Sequence, residues 1–259
     1  MKKFAVVTGA SSGLGRSIAL ELSRRKINTL LVSLPREGLR EVCLECRRNG
    51  CESECFELDL TNRDALSVFV EHINENYEVF ALFNNAGIGG SRRFDDVPMQ
   101  YIDDIINLNI SAATMLVHEL LPNLKRNAES YILNISSMAA LVPCGYKTVY
   151  PASKAYIKHF SLGLREELKE YGVSVSLAVL GPMPTREDII RRIESQGVLG
   201  QALSVKAERA AEVCVKKTFA KKRIIIAGKL NILSFYLLRF IPEYLRTVLM
   251  SRSVKRNEL

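Results

Sequence analysis

The sequence predicts an α/β domain built on one doubly wound parallel sheet of about seven strands, with helices on both faces. Short apolar runs recur along the chain, and helical patterns separate most of them. Runs of this kind are typical of parallel strands that are buried on both sides. The predicted strands are Phe4–Val7, Thr29–Ser33, Cys55–Leu58, Val79–Phe83, Tyr131–Ile135, Val173–Val179 and Arg223–Ala227.

Length and composition limit the class of protein. The 259 residues suit a single domain, and the chain has no repeat, no low-complexity tract and no Pro-, Gly- or Ser-rich linker. It carries a formal net charge of +8, but no aromatic interleaving or nucleic-acid motif accompanies the basic residues. We therefore expect no nucleic-acid partner. The start of the chain does not read as a secretory signal, so we expect a cytoplasmic protein.

The first strand leads into a glycine-rich turn and then into a helical pattern. Strand, turn and helix in this order direct backbone N–H groups and a helix amino end towards a pyrophosphate. The glycines follow the spacing G-x-x-x-G-x-G. The residues expected to bind a dinucleotide here are Thr8, Gly9, Ser11, Ser12, Gly13, Leu14 and Gly15.

A second motif combines a phenol, an amine and a hydroxyl. Tyr150 and Lys154 are four residues apart, so on a helix they share one face. An ammonium beside a phenol favours the phenolate and brings its proton within reach of neutral-pH chemistry. Ser137 follows a buried strand, so all three groups can meet at the carboxyl edge of the sheet. Taken alone, the Tyr–Lys pair could also be an ordinary exposed helix pair.

Together these motifs resemble the compact branch of the short-chain dehydrogenase/reductase family, over roughly residues 4–185. The resemblance implies a Rossmann-type fold and catalysis by Asn109, Ser137, Tyr150 and Lys154, with Asn109 completing a water-borne proton relay. It also implies cofactor contacts from Asp59 and Leu60, from the Asn-Asn-Ala-Gly turn, from Tyr150 and Lys154, and from the loop after the sixth strand. In this sequence the residues of the turn and loop are Asn85, Ala86, Gly87, Gly181 and Thr185, and Leu180 replaces the family's usual proline.

The end of the second strand bears on the choice between NADP and NAD. An acidic residue there would bind both ribose hydroxyls and repel a 2′-phosphate, and this chain has none at that point. Ser33 and Arg36 could bind the phosphate, and Arg16 offers a second cation. Leu34 stands where NADP-preferring relatives often have arginine. We therefore predict NADP, with NAD as the alternative.

Four cysteines lie close together, which raises the question of a metal site. Cys43, Cys46, Cys51 and Cys55 fall on a helix, a turn and a strand, without the paired spacing of structural zinc ligands. We predict free thiols and no metal. Cys144 lies between Ser137 and Tyr150, where it either lines the substrate pocket or simply packs.

The last third of the chain is the part that bears on substrate. We expect residues 1–228 to form the catalytic part, with a lid at residues 184–207. Residues 229–259 are expected to form an extension that is first apolar and then basic. This apolar tail resembles that of 17β-hydroxysteroid dehydrogenases and long-chain 3-oxoacyl reductases. It could contact its own domain, a second subunit or a membrane surface.

The sequence therefore predicts a carbonyl reductase or alcohol dehydrogenase for an apolar, lipid-, steroid- or acyl-like substrate. Alternatives are a membrane-associated keto-lipid reductase of the 3-ketosphinganine type and a non-catalytic dinucleotide-binding scaffold. The resemblance implies a homodimer or homotetramer. A position peripheral to the inner face of a membrane is a further expectation.

Overall fold

The computed structural model describes residues 2–257, apart from the side chains of residues 188, 199 and 257. Its centre is one parallel sheet in the order β3-β2-β1-β4-β5-β6-β7. The predicted fold is therefore confirmed. The strands are β1 (Lys3–Thr8), β2 (Asn28–Ser33), β3 (Ser53–Glu57), β4 (Glu78–Asn84), β5 (Ser130–Ser137), β6 (Val173–Leu180) and β7 (Ile224–Ile225).

Helices cover both faces of the sheet. They are α1 (Gly13–Arg24), α2 (Leu39–Arg48), α3 (Arg63–Asn76), α4 (Met99–Ile106), α5 (Ala113–Lys125), α6 (Val149–Glu167), α7 (Glu187–Ser195), α8 (Gly197–Leu203), α9 (Ala207–Phe219), α10 (Lys229–Leu237) and α11 (Glu243–Asn257). A π-helical segment, Asn107–Ala112, joins α4 to α5.

Alternate residues of each strand face opposite layers. In β1, Ala5 and Val7 pack with α1, α2 and α9, whereas Phe4 and Val6 pack with α3 and α5. All four side chains are buried, which explains why the strand is continuously apolar in sequence.

The direction of winding reverses between β1 and β4. From β1 the chain runs outward to β2 and β3, and β4 then returns to the other side of β1. Open α/β sheets bind ligands at the carboxyl ends of the strands at such a switch point. The fold therefore places the candidate site where Thr8 and Asn84 end their strands.

The helical stretch Met99–Lys125 is long and apolar enough to cross a membrane. Of its most apolar 18-residue segment, 39% is buried inside the protein. Its α5 part contributes the fully buried Leu116 and Leu120 to the core beside the sheet. In this structure it is a layer of the domain.

The extension after β7 forms two helices where one was expected. A turn around Phe240 and Pro242 separates α10 from α11. Proline fixes its own φ and lacks an N–H, so it begins the second helix more readily than it continues the first. Phe235 of α10 is buried against the body, although the division at residue 228 itself stays a prediction.

Candidate active site

The ends of β1 and β4 are joined by the side chain of Thr8. Its buried hydroxyl oxygen accepts hydrogen bonds from the backbone N–H groups of Asn85 and Ala86, each at 2.9 Å. The Asn85 side-chain amide in turn donates to the Thr8 carbonyl at 2.9 Å. These bonds hold the glycine-rich loop against the Asn-Asn-Ala-Gly turn. Both segments had been predicted to bind the cofactor.

The glycine-rich loop is tight enough to exclude side chains. Gly9 and Gly13 have left-handed φ values of 63° and 52°, which glycine adopts at little cost. A Cβ on Gly15 would lie 1.9 Å from the Gly9 carbonyl oxygen, so only glycine fits there. Ser12 precedes α1 without a side-chain cap, which leaves the first amides of that helix for a ligand. Such a cradle fits a dinucleotide pyrophosphate.

A cavity of about 560 Å³ lies at this edge of the sheet and reaches from the glycine loop to Tyr150. Thr8 and Gly15 support its wall without lining it, and the predicted cofactor residue Arg36 is also outside the lining. The predicted site residues that line it are Gly9, Ser11, Ser12, Gly13, Leu14, Ser33, Asp59, Leu60, Asn85, Ala86, Gly87, Ser137, Tyr150, Lys154, Gly181 and Thr185.

The end of the cavity beside β2 differs from the prediction. Arg36 has a left-handed backbone, with φ of 64°, and is exposed. Arg16 is paired with Glu45 at 2.6 Å instead of facing the cavity. Glu37 lines the cavity and accepts a hydrogen bond from the Ser11 hydroxyl at 2.9 Å. Of the predicted phosphate ligands, only Ser33 lines this end.

Tyr150 and Lys154 lie one turn apart on α6, as their spacing predicts. The Lys154 Nζ is 5.9 Å from the centre of the Tyr150 ring and donates a hydrogen bond to the Ile135 carbonyl at 3.1 Å. Lys154 is only 6% exposed, whereas Tyr150 is half-buried. Ser137 ends β5 and is hydrogen-bonded to Tyr150. The structure therefore brings all three groups together at one end of the cavity.

The electrostatics of this cluster differ from the expectation. Burial raises the pKa of Tyr150, while its hydrogen bond with Ser137 and the positive charge of Arg192 act to lower it. Burial also lowers the pKa of the neighbouring Lys154, from 10.5 to about 8. The sequence reasoning missed Arg192, which lies on the lid helix α7 and lines the cavity.

Asn109 is buried in the π-helical segment behind the cavity. Its side-chain oxygen accepts from the Ile88 N–H at 2.9 Å, and its amide donates to the Ile88 carbonyl at 2.8 Å. The amide also donates to the Ser153 hydroxyl at 3.0 Å, and that hydroxyl donates to the Tyr150 carbonyl at 2.8 Å. π-helical turns often occur at functional sites. Ser153, which was assigned no role from the sequence, connects Asn109 to the tyrosine turn of α6.

Two glycines after β4 allow close contacts with this cluster. A Cβ on Gly87 would lie 2.9 Å from the Asn109 side-chain oxygen and 3.0 Å from the Lys154 Nζ. A Cβ on Gly89 would lie 2.3 Å from the Tyr150 ring. The sequence identified Gly87 by motif and missed Gly89, because its contact depends on how α6 packs.

The loop after β6 closes the cavity on the opposite side. Thr185 lies beside the glycine loop, since a Cβ on Gly13 would be 3.3 Å from its methyl group. Gly181 is in turn backed by Asn231 of α10. In the lid, Ile189 lines the cavity, whereas Ile193 is buried and does not line it, so only part of the predicted apolar wall faces the cavity.

The cysteines lie away from the cavity lining. Cys43 donates a hydrogen bond to the Ser53 carbonyl, and Cys51 to the Cys46 carbonyl, while burial raises the pKa of Cys46 to about 11. All six cysteines are free thiols, including Cys55. Cys144 is buried and does not line the cavity, so it has the packing role rather than the pocket role.

Comparison with known proteins gives the family. The model of the family described as short chain dehydrogenase matches residues 3–194. The chain belongs to the short-chain dehydrogenase family. The predicted resemblance is therefore confirmed.

Curated relatives agree with the branch that was predicted. The chain is 36% identical over 177 residues to a very-long-chain 3-oxoacyl-CoA reductase of Anas platyrhynchos, covering 66% of this chain and 57% of the relative. It is 31% identical over 183 residues to 17-beta-hydroxysteroid dehydrogenase type 3 of Danio rerio, covering 67% and 58%. The chain thus spans less than two thirds of the length of these relatives. A third relative is the inactive hydroxysteroid dehydrogenase-like protein 1 of Homo sapiens. It is 31% identical over 176 residues, covering 67% of this chain and 53% of the relative.

A solved structure supports the fold. A short-chain dehydrogenase from Sphingobium yanoikuyae in complex with NADPH superposes with a TM-score of 0.79 at 23% identity, covering 93% of this chain and 97% of that one.

Proposed function

We propose that the chain is an NADP(H)-dependent oxidoreductase that interconverts a carbonyl and a secondary alcohol on an apolar substrate. The observation that carries this proposal is the convergence of Ser137, Tyr150 and Lys154 at one end of a cavity whose other end is the glycine cradle. A nicotinamide dinucleotide bound there would supply or accept the hydride. Family membership alone is insufficient support, since one relative is described as inactive.

The chain's own residues would manage the proton. In reduction, the Tyr150 hydroxyl donates a proton to the substrate oxygen, and the Ser137 hydroxyl holds that oxygen in place. The Lys154 ammonium, 5.9 Å from the centre of the Tyr150 ring, would stabilise the phenolate that forms. Arg192 contributes positive charge from the lid. Asn109 lies on one side of Gly87 with Lys154 close by, which suits a water-mediated path for the returning proton.

Tyr150→Phe tests this assignment. Loss of the general acid should reduce turnover by about 10²–10⁴-fold or more, because general acid catalysis contributes that much. Dinucleotide binding, measured by nicotinamide fluorescence, should persist because the glycine cradle is untouched. Tyr156→Phe, on the same helix but bonded to Thr114, is the matched control and should keep full turnover. Equal turnover in Tyr150→Phe and the parent would refute the mechanism.

The preference for NADP(H) rests on Ser33, which stands in place of an acid as the last residue of β2, although Glu37 lines the same end of the cavity. The complex of the solved relative with NADPH also supports it. We expect Ser33→Asp to invert the preference, because a carboxylate there would bind ribose hydroxyls and repel a 2′-phosphate. The measurement is kcat/KM with NADPH and with NADH. A parent enzyme equally efficient with both would remove the basis for this preference.

The substrate class rests on the relatives and on the lining of the cavity. One relative is described as an acyl-CoA reductase and another as a hydroxysteroid dehydrogenase. Ile88, Leu108 and Ile189 supply apolar wall in this chain. A screen of steroids, 3-oxoacyl thioesters and long-chain ketones for NADPH oxidation would identify the substrate; turnover confined to small polar ketones would contradict the class.

A second candidate is a keto-lipid reductase acting at the cytoplasmic face of a membrane. The exposed apolar side chains of α10, of α11 and of the turn between them, including Phe240 and Tyr244, favour it. We also propose a homodimer or homotetramer from the family resemblance.

A non-catalytic scaffold is the least favoured candidate, because the serine, tyrosine, lysine and asparagine of the motif are all present and adjacent.

A further inference from the structure

Helix α10 exposes its apolar side. Asn231 and Phe235 are buried against the body, whereas Leu233, Tyr236 and Leu237 on the opposite side are 53%, 55% and 52% exposed. A surface helix ordinarily shows the reverse, with polar residues facing water. Asn231 is satisfied on the inner side, where its amide donates to the carbonyls of Leu203 and Ala227 at 2.9 Å each. The outward face is therefore apolar while the inward face carries the polar group.

The same exposure continues through the turn into α11. Phe240 is 85% exposed and Tyr244 is 81% exposed, the highest values among the aromatic side chains of this region. Large contiguous apolar patches on a soluble monomer mark interaction sites. We name the following set the C-terminal apolar face: Leu230, Ile232, Leu233, Tyr236, Leu237, Phe240, Tyr244, Leu245, Leu249 and Met250.

The charge around this face narrows the choice of partner. Residues 229–257 contain six lysines and arginines but one acidic residue, Glu243. Arg239 lies between the apolar side chains, with its guanidinium 4.8 Å from the centre of the Phe235 ring. Two copies of the face packed together would bring like charges into contact, which is unfavourable. An anionic phospholipid surface offers apolar depth and negative charge together, and so complements both features.

The face is also joined to the candidate active site. The Gly145 N–H, in the loop between Ser137 and Tyr150, donates to the Ser251 hydroxyl of α11 at 2.8 Å. Arg246 of α11 donates to the Leu141 carbonyl at 2.9 Å in the same loop. On the other side of the cavity, Asn231 backs Gly181. The helices that carry the face thus support two of the segments that enclose the cavity.

We propose that the C-terminal apolar face docks on an anionic phospholipid bilayer and holds the substrate end of the cavity close to the lipid. Docking by the face is independent of catalysis. Uptake of an apolar ketone from the bilayer rests on the proposed function.

The test uses the purified 259-residue chain and vesicles of phosphatidylcholine, with or without phosphatidylglycerol, in a flotation assay. The chain should float with vesicles that contain phosphatidylglycerol, less with phosphatidylcholine alone, and less as salt rises. The triple variant Leu233→Asp, Leu237→Asp, Phe240→Asp should lose at least tenfold in partition. Val68→Asp together with Met99→Asp, at apolar positions exposed by 67% and 65% outside the face, is the matched control and should bind as the parent does.

Circular dichroism and size-exclusion chromatography of the same proteins separate the outcomes. A folded parent that does not float overturns the proposal. A triple variant that changes from dimer to monomer, with a parent that does not float, shows that the face joins subunits instead. Flotation of the parent with equal flotation of the triple variant also overturns the assignment to this face.

Turnover separates docking from the proposed function. The triple variant should keep its rate on a water-soluble ketone and lose rate on a long-chain ketone carried in vesicles. Flotation of a parent that reduces no ketone would leave the docking surface standing and refute the proposed function. Equal rates of both proteins on the vesicle-borne ketone would refute the uptake step alone.

Discussion

Lys154 is a charged side chain held where water scarcely reaches it. It is 6% exposed, and burial lowers its pKa from 10.5 to about 8. Its hydrogen bond to the Ile135 carbonyl offsets only part of the desolvation cost. The domain would be more stable with an apolar chain of similar length at this position. A loss of stability of this kind is expected at a residue that is kept for its role in the reaction rather than for its contribution to folding.

This cost gives a pH-dependent prediction. Between about pH 8 and 10.5 the unfolded chain holds a proton on residue 154 that the folded chain has lost, so this residue's contribution to stability rises with pH. Below pH 8 the penalty is fully present. Lys154→Met should therefore raise the free energy of unfolding at pH 7 by about 1–3 kcal/mol, and the gain should vanish near the upper pH.

Urea denaturation of Lys154→Met and the parent at both pH values measures this difference. Lys169→Met, at an exposed lysine, is the control and should change stability by less than about 0.5 kcal/mol. A less stable Lys154→Met protein at pH 7 would mean that the ammonium is well solvated or paired in solution. The variant should also be inactive, since the proposed function requires the charge.

Single residues also mark the limit of sequence reasoning at the site. Tyr150 and Lys154 were predictable because a four-residue spacing on a helix fixes their common face. Arg192 was not, because its effect on Tyr150 depends on how the lid lies over the cavity. Arg36, predicted as a phosphate ligand, has a left-handed backbone and does not line the cavity, and local sequence did not indicate that conformation.

At the scale of elements, the loop after β4 packs closely against helix α6. Gly89 packs so closely on Tyr150 that a Cβ would lie 2.3 Å from its ring. Gly89→Ala should therefore push the ring or the loop aside and reduce kcat by at least tenfold, because small misplacements of reacting groups are costly. A displaced ring would carry the Tyr150 hydroxyl away from Ser137.

A glycine within α6 itself provides the control for Gly89→Ala. Gly163 lies inside α6, and a Cβ there meets nothing within 4 Å. Gly163→Ala should keep full activity and raise stability by up to about 1 kcal/mol, since alanine is the better helix former. Steady-state kinetics and thermal unfolding of both variants make the comparison. Full activity in Gly89→Ala would show that Tyr150 is not held by this loop.

The elements themselves were largely predictable. The first six strands begin and end within two residues of the apolar runs, because a strand buried on both faces must be apolar throughout. The last strand was predicted too long: only Ile224 and Ile225 pair with β6. The run is equally apolar beyond that point, but the pairing ends, and composition does not encode pairing. The π-helical turn at Asn109 was likewise invisible to periodicity.

At the scale of the whole molecule, the question is whether the extension after β7 belongs to the domain. Phe235 is 3% exposed and packs in a cluster with Ile157, Leu177 and Val179, which lie on α6 and β6. Five residues further on, Phe240 is 85% exposed. One short segment thus contains a core phenylalanine and a surface phenylalanine, and comparing the two gives a direct measure of how firmly α10 is attached.

Phe235→Ala should lower the free energy of unfolding by about 3 kcal/mol or more, because it removes a large ring and leaves a cavity against the sheet. Phe240→Ala should change it by less than about 0.5 kcal/mol in the absence of lipid. Both are measured by urea denaturation. Phe235→Ala should also raise KM, because α10 contacts the segment that follows Ser137 and backs Gly181 through Asn231. If the two variants were equally stable, α10 would be a loosely attached appendage, and the catalytic part would fold without it.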